Sequence, residues 1–272
     1  MKTLFRVHLV PTKRALGLMG HRMMLVSSML FALTAAQAAV MRTPVSEGVG
    51  MALEVSHPVP AHVELTRFLL QGVDDPEQLR GNRVAILAAD GVDGFELDIP
   101  WRFLVERGAT VDVIIPRPSG TLQVDGSGAA IGPKTRIAVI NPSGEERDSS
   151  FDRFLDQVQA HDYDAVYLPG NRASGGEPAQ PPSLAFLREA ERAGKPIFAI
   201  SNSPLLLLEA GLLDRKQATG NPATLSKLSA SNVTVIDAPV VQDGNIHTSR
   251  DAFDVPAMMG AMLATLLAGS AK

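Results

Sequence analysis

The stretch from Lys195 to Leu213, KPIFAISNSPLLLLEAGLL, constrains the fold more than any other part of the chain. Pro196 to Ile200 suit a buried strand, Ser201-Asn202-Ser203 is polar, and an apolar helical run follows and stops at Gly211. A parallel strand that turns sharply into a helix leaves its turn residue at the carboxyl edge of a sheet. The helix then aims its free N–H groups at whatever binds there. Ala199 and Ser203, two places either side of Ser201, are both small, as a tight strand-to-helix elbow requires. The pattern describes the shape of a site better than its chemistry.

Strand and helix spacings alternate along the rest of the chain. RVAILAADG, from Arg83, reads as a buried strand. FELDIPWRFLVERG repeats apolar residues at Leu97, Trp101, Leu104 and Val105, with Gly108 as a stop and Pro100 acceptable only in a first helical turn. Thr110 to Pro116 is the next strand, which completes a right-handed βαβ unit. Residues Gly120 to Pro142 predict a hairpin or sheet-edge excursion through TLQVDG and TRIAVI, and Phe151 to Gln159 a short helix. Asp162 to Asn171 is a buried strand ending in a Pro-Gly turn, and Leu184 to Ala193 a helix. Beyond the elbow, NVTVID (Asn232 to Asp237) reads as a strand and PVVQDG with NIHTSR as a hairpin around Asp243-Gly244. Asp251 to Leu267 is a closing helix whose Met258, Met259 and Met262 suit a core. The fold class expected is α/β: one open sandwich, mostly parallel, with helices on both faces.

The first 38 residues read as a signal peptide. Lys2, Arg6, Lys13, Arg14 and Arg22 precede an apolar run from Met23 to Ala36, and Ala36-Gln37-Ala38 has the small-x-small form of a cleavage site. About 14 apolar residues are too few for a comfortable membrane span. Export to the periplasm or beyond is therefore expected, with no stable membrane insertion after cleavage. Residues 39–82 read as a linker or N-terminal extension with one helix at Ala61 to Leu70, and residues 83–268 as the domain proper. The whole chain holds 25 basic and 29 acidic residues; without the five leader cations the count is 20 against 29, a net −9. Such a domain is a poor partner for nucleic acid. The chain has no cysteine, which excludes disulfides and every thiol nucleophile, and the scattered histidines form no metal-ligand spacing. No phosphate-cradling glycine loop opens a helix. Neither a metal nor a cofactor is expected.

Ligands of open parallel sheets bind beyond the carboxyl ends of the strands. Glu96, Gly170-Asn171 and Ser201-Asn202 follow three such ends. They are candidates for one site, with Ser201 as hydroxyl nucleophile or anchor, Glu96 as its hydrogen-bond partner, and the Asn171 and Asn202 N–H groups as oxyanion donors. Each has a plainer reading: Glu96 suits the first turn of a helix, and Ser201 suits a helix cap.

DYDAVYLPG, AGKPIFAISNSPLLLLEAGLL, DGNIHTSRDAFDVPA and the opening GNRVAILAADGVDGFEL together resemble the ThiJ/PfpI superfamily, the class I glutamine amidotransferase-like fold, over roughly Arg83 to Leu267. The resemblance implies a flavodoxin-like three-layer sandwich and a habit of forming homodimers. Family enzymes usually carry Ala-Ile-Cys-His-Gly-Pro at the elbow, where this chain has Ala199-Ile200-Ser201-Asn202-Ser203-Pro204. The resemblance thus puts Ser201 in the place of the nucleophilic cysteine and Asn202 in that of a frequent catalytic histidine. A second frequent histidine corresponds to Asn221, and the usual Pro-Gly-Gly has become Pro169-Gly170-Asn171. Only Glu96 keeps its family identity.

A serine hydroxyl, unlike a cysteine, needs a general base to attack, and Glu96 serves as one only if burial raises its pKa. His57 and His62 lie in the extension, His161 precedes a strand at its remote end, and His247 lies in the late hairpin, from which only a dimer would bring it near. The first expectation is a non-catalytic protein binding a small carbonyl or carboxylate ligand at the Ser201/Glu96 elbow, with Gly170, Asn171, Asn202 and Asn221 as binding residues. The second is a Ser201/Glu96 hydrolase or hydro-lyase, and the third a structural dimer or partner-binding module.

Overall fold

The structure, a computed structural model, describes residues 59–117, 136–141, 143–172 and 180–270. The expected leader and cleavage site, and the TLQVDG segment, lie outside the described residues.

Helix α1 (Val59–Leu70) precedes strand β1 (Arg83–Leu87), the two-residue β2 (Val92–Asp93) and helix α2 (Gly94–Glu106). Then come β3 (Thr110–Ile115), the hairpin β4 (Arg136–Ile140) and β5 (Glu146–Ser150), β6 (Arg153–Phe154) and β7 (Ala165–Leu168). Helix α3 (Pro181–Arg192) leads to the elbow strand β8 (Ile197–Ile200) and helix α4 (Pro204–Glu209). The chain ends through β9 (Gln217–Ala218), α5 (Pro222–Ser229), β10 (Thr234–Val235), β11 (Val240–Asp243), β12 (Ile246–Ser249) and α6 (Val255–Ser270).

Seven strands form the main sheet in the order β11-β12-β8-β7-β1-β3-β6, and every pairing except β11 with β12 is parallel. The chain leaves β1 for β3 on one side and returns with β7 on the other. This reversal opens a crevice at the carboxyl ends of β1 and β7, where open sheets bind ligands. β7 and β8 are fully buried along their length, as strands covered on both faces must be. Ala85, Val166, Leu168, Ile197 and Ala199 face Phe186, Leu187, Leu207 and Leu228 of α3, α4 and α5. Removing each such large apolar side chain from water contributes about 1.5–3 kcal/mol. Helix α2 packs against β3, and α6 against β11 and β12. Ala252–Gly269 is long and apolar enough to cross a membrane, yet its Met258, Met259, Met262 and Leu266 are buried in the core. Helix α1 lies against α6 and α2, stacking Phe68 on Phe103 at 5.4 Å.

Three expectations need correction. Phe151 to Gln159 is no α-helix: β6 pairs with the end of β3, and two short 3₁₀ turns follow, at Leu155–Gln157 and Ala160–Asp162. Of NVTVID only Thr234–Val235 is strand, because its partner is the two-residue β9 and not the main sheet. Pro100 sits well inside α2, which already begins at Gly94.

A proline there removes the N–H that would bond the carbonyl four residues earlier, that of Glu96. The Tyr167 hydroxyl, on β7, donates to that carbonyl at 2.9 Å instead. Tyr167→Phe would leave it unsatisfied in a buried site, with an expected destabilisation of about 1–3 kcal/mol. Pro100→Ala restores an intrahelical donor. The same tyrosine change should then matter much less in the Pro100→Ala background, as denaturant unfolding of a double-mutant cycle would measure.

Candidate functional site

The crevice holds a cavity of ≈ 360 Å³ lined by Asp93, Glu96, Gly170, Asn171, Arg172, Ser201, Asn221, Asp251, Ala252 and Phe253. It is near the lower end of the range for small-molecule sites. Its walls come from the segments after β1, β7, β8, β9 and β12.

Ser201 takes φ +67°, a left-handed conformation unusual for a residue with a β-carbon. The bend is held by its own N–H to the Ser249 carbonyl and by its carbonyl, which accepts from the Asn221 N–H. Ser203, not Ser201, occupies the N-cap position of α4; its one hydroxyl proton is shared between the Leu168 and Ile200 carbonyls, at the ends of β7 and β8. Ser201 is thus a strained elbow and not a cap. Glycine relieves that strain, so Ser201→Gly should be more stable than Ser201→Ala by about 0.5–1 kcal/mol after allowing for the extra freedom of unfolded glycine. Thermal melts of the two variants check this.

Asn221 caps α5 with its side-chain carbonyl, which accepts the Thr224 N–H at 2.9 Å. Its amide nitrogen must therefore face the other way, and it donates to Ser201 Oγ at 3.2 Å. The hydroxyl thus receives a hydrogen bond and keeps its own proton for another acceptor. Asn202 turns its side chain to the loop after β7. Its side chain clasps the Asn171 backbone, accepting from the N–H at 2.9 Å and donating to the carbonyl at 2.8 Å. That clasp corrects one expectation: the Asn171 N–H is spoken for and is no oxyanion donor. Among the described residues nothing accepts from the Asn202 N–H.

Glu96 is 3% exposed. Its carboxyl accepts the Gly170 N–H at 2.8 Å, and no hydrogen bond joins it to Ser201 among the described residues. The two still flank one point: a β-carbon on Gly170 would lie 2.5 Å from Glu96 Oε2 and 2.8 Å from Ser201 Cβ. Burial, reinforced by the charge of Asp93, pushes the Glu96 pKa up to about 8 against the opposing Gly170 hydrogen bond; Asp251 raises it further and Arg172 lowers it. At neutral pH the site therefore holds mostly a neutral carboxylic acid.

Asp93 and Arg172 were not among the residues expected from sequence. Asp93 Oδ1 caps α2 by accepting from Phe95 and Glu96 N–H at 2.9 and 3.1 Å, and Oδ2 accepts from Arg172 Nε. The spacing Asp93-x-x-Glu96 ahead of an apolar run is the signal that would have marked this cap. His247 is buried within its own chain, 2% exposed and stacked on Phe198 at 4.4 Å, so it offers nothing to a second copy's pocket. Burial lowers its pKa to about 4. His161 is exposed beside Asp162 and Glu189, away from the cavity lining. Among the described residues no cluster of three His, Asp or Glu side chains is arranged to hold a metal.

The sequence profile of the DJ-1/PfpI family matches residues 82–265. A deglycase of Pyrococcus horikoshii is 32% identical over 108 residues, covering 40% of this chain and 65% of its own length. A deglycase of Thermococcus kodakarensis is 28% identical over 177 residues, covering 65% of this chain and 95% of its own. Among solved structures, a two-domain protein of Anabaena variabilis with dj-1/thij/pfpi-like and ferritin-like domains superposes with a TM-score of 0.57 at 28% identity. That match covers 68% of this chain and 48% of the other, so the chain spans about half of the two-domain protein and just under two thirds of the first deglycase.

Proposed function

The chain belongs to the DJ-1/PfpI family, and on that footing we propose that its pocket binds a small carbonyl or carboxylate compound at Ser201 and does not turn it over at neutral pH. The observation that carries this reading is the direction of the Asn221 amide: the neighbour of the Ser201 hydroxyl is a donor, so nothing there withdraws its proton. A protonated Glu96 is a poor base as well. What remains is a set of donors, the Ser201 hydroxyl, the Asn202 N–H and the Glu96 acid, suited to hold an oxygen ligand. On this reading Ser201 occupies the position of the family's nucleophilic cysteine and Asn221 that of a histidine. Relatives named deglycases motivate carbonyl compounds as the first to try.

Calorimetric titration with small carbonyl compounds, beside turnover assays with glyoxal and simple esters, tests the proposal. Binding that weakens by about tenfold in Ser201→Ala, with no turnover at pH 7, is the expected result. Turnover at pH 7 that Ser201→Ala abolishes would overturn it.

The strained Ser201 backbone and the raised Glu96 pKa favour one second reading, a Ser201/Glu96 hydrolase or lyase working in alkaline solution. Its rate would climb as Glu96 ionises through about pH 8 and disappear in Glu96→Gln. Export with cleavage after Ala38, and a homodimeric state, belong to the same proposal; the leader's charge and small-x-small pattern support the first. N-terminal sequencing of the exported protein and light scattering check them.

A further inference from the structure

Arg172 lines the cavity with a side chain 41% exposed, and its place is fixed by an almost fully buried partner. Asp93 spends one carboxylate oxygen on the start of α2 and the other on Arg172 Nε. The backbone of Arg172 is held too, its N–H donating to the Gly91 carbonyl at 2.8 Å. A guanidinium gripped at Nε presents its two terminal NH₂ groups as a free fork. Among the described residues nothing accepts from them. A planar fork with two parallel N–H bonds matches a carboxylate.

Charge elsewhere in the cavity decides where an anion can sit. Asp93 and Asp251 each raise the Glu96 pKa more than Arg172 lowers it, although Asp93 is bonded to Arg172 as well. A negative group is disfavoured beside Glu96, and Arg172 is the one cation among the lining residues to receive it. The elbow end, with its hydroxyl and N–H donors, suits an uncharged oxygen. Gly170 joins the two ends: it abuts Ser201 and Glu96 and lies two residues before Arg172. Resting on the reading of the elbow as a carbonyl site, we infer that the pocket selects 2-oxo acids, with Arg172 clamping the carboxylate and the Ser201 elbow holding the adjacent carbonyl. Arg172 is the specificity-determining residue, and Asp93 positions it. Neutral aldehydes and ketones of the same size bind more weakly because they leave the fork unused.

Pyruvate and hydroxyacetone are close in size and differ in the carboxylate, so calorimetric titration of the full chain with each at pH 7 separates the two ends. In the native protein pyruvate should bind about tenfold or more tighter than hydroxyacetone, as a bidentate charge-assisted pair implies. Arg172→Gln should erase that preference while leaving hydroxyacetone affinity within about threefold, and Ser201→Ala should weaken both ligands alike. Equal affinities in the native protein, or a preference that survives Arg172→Gln, would overturn the inference. Hydroxyacetone bound as tightly as pyruvate leaves the elbow reading standing and removes only the carboxylate. Neither ligand binding removes both. Should a melt show Arg172→Gln unfolded, Arg172→Lys decides: it keeps a cation beside Asp93 but lacks the fork, so the preference must fall, and an unchanged preference refutes the clamp.

Discussion

Glu96→Gln will remove a fall in stability that the native protein suffers between about pH 4.5 and 8. Burial raises the Glu96 pKa from 4.5 to about 8 in the folded state. Below the lower value both folded and unfolded chains carry the proton, and the full stability is present. Between the two values the unfolded chain has released its proton while the folded one retains it. Folding then takes up a proton, and stability declines as pH rises until Glu96 ionises in the folded state too. A displacement of that size corresponds to a loss on the order of 3–5 kcal/mol. Glutamine matches the acid in shape, can accept the Gly170 N–H and has no proton to lose. The variant should therefore match the native protein within about 1 kcal/mol at pH 4 and exceed it by several at pH 8. His247 works in the opposite sense, withdrawing stability as pH falls from 6.5 toward about 4, but it is present in both proteins and cancels from their difference. Urea unfolding of the pair across this range is the measurement. Parallel curves would show that Glu96 is ionised in the folded protein at neutral pH, and the donor set proposed at the elbow would lose its acid.

Gly170→Ala will close the site. The added carbon would lie 2.5 Å from Glu96 Oε2, 2.8 Å from Ser201 Cβ and 2.9 Å from Asn202 Oδ1. None of these can step aside easily. Glu96 is buried and bonded to the Gly170 N–H, Ser201 is held at both ends of its bend, and Asn202 clasps Asn171. Overpacking of this kind destabilises by about 1–3 kcal/mol or more, and here it falls on the groups proposed to hold a ligand at the elbow. Binding at the elbow should be lost altogether. Gly260→Ala is the fitting control. It lies in α6 with nothing within 4 Å of the added carbon, so the same change should stabilise by about 0.5–1 kcal/mol. Thermal melts and titration of both variants give the comparison; two variants with the same stability change would refute the steric account.

The site was legible in sequence where its determinants are local. A buried strand, a polar turn and an apolar helix are contiguous in residues 195–213, so the elbow and its place at the sheet edge follow from spacing alone. The strand-edge rule likewise brought Glu96, Gly170, Asn171 and Ser201 to one cavity. Roles that depend on approach between distant segments were not readable. The Asn202 clasp joins residues 31 apart, and the Arg172–Asp93 pair joins residues 79 apart. Asn221 reads as a cap on α5, and only the folded chain turns its amide onto Ser201. The errors in the fold have the same origin. β6 exists because β3 offers it an edge, a partnership no window around Phe151 to Gln159 contains.

The bond from Tyr167 to the Glu96 carbonyl crosses from sheet to helix over 71 residues. Within α2 no N–H is available for that carbonyl, so it gains a protein partner only when β7 packs against the helix. The backbone that carries the acid of the pocket is thus anchored by both layers at once. In hydrogen exchange the amides of Phe95 to Leu97 should open together with β7 and not with the far half of their own helix. The proline divides one helix between two cooperative units, and the end that carries Glu96 belongs with the sheet.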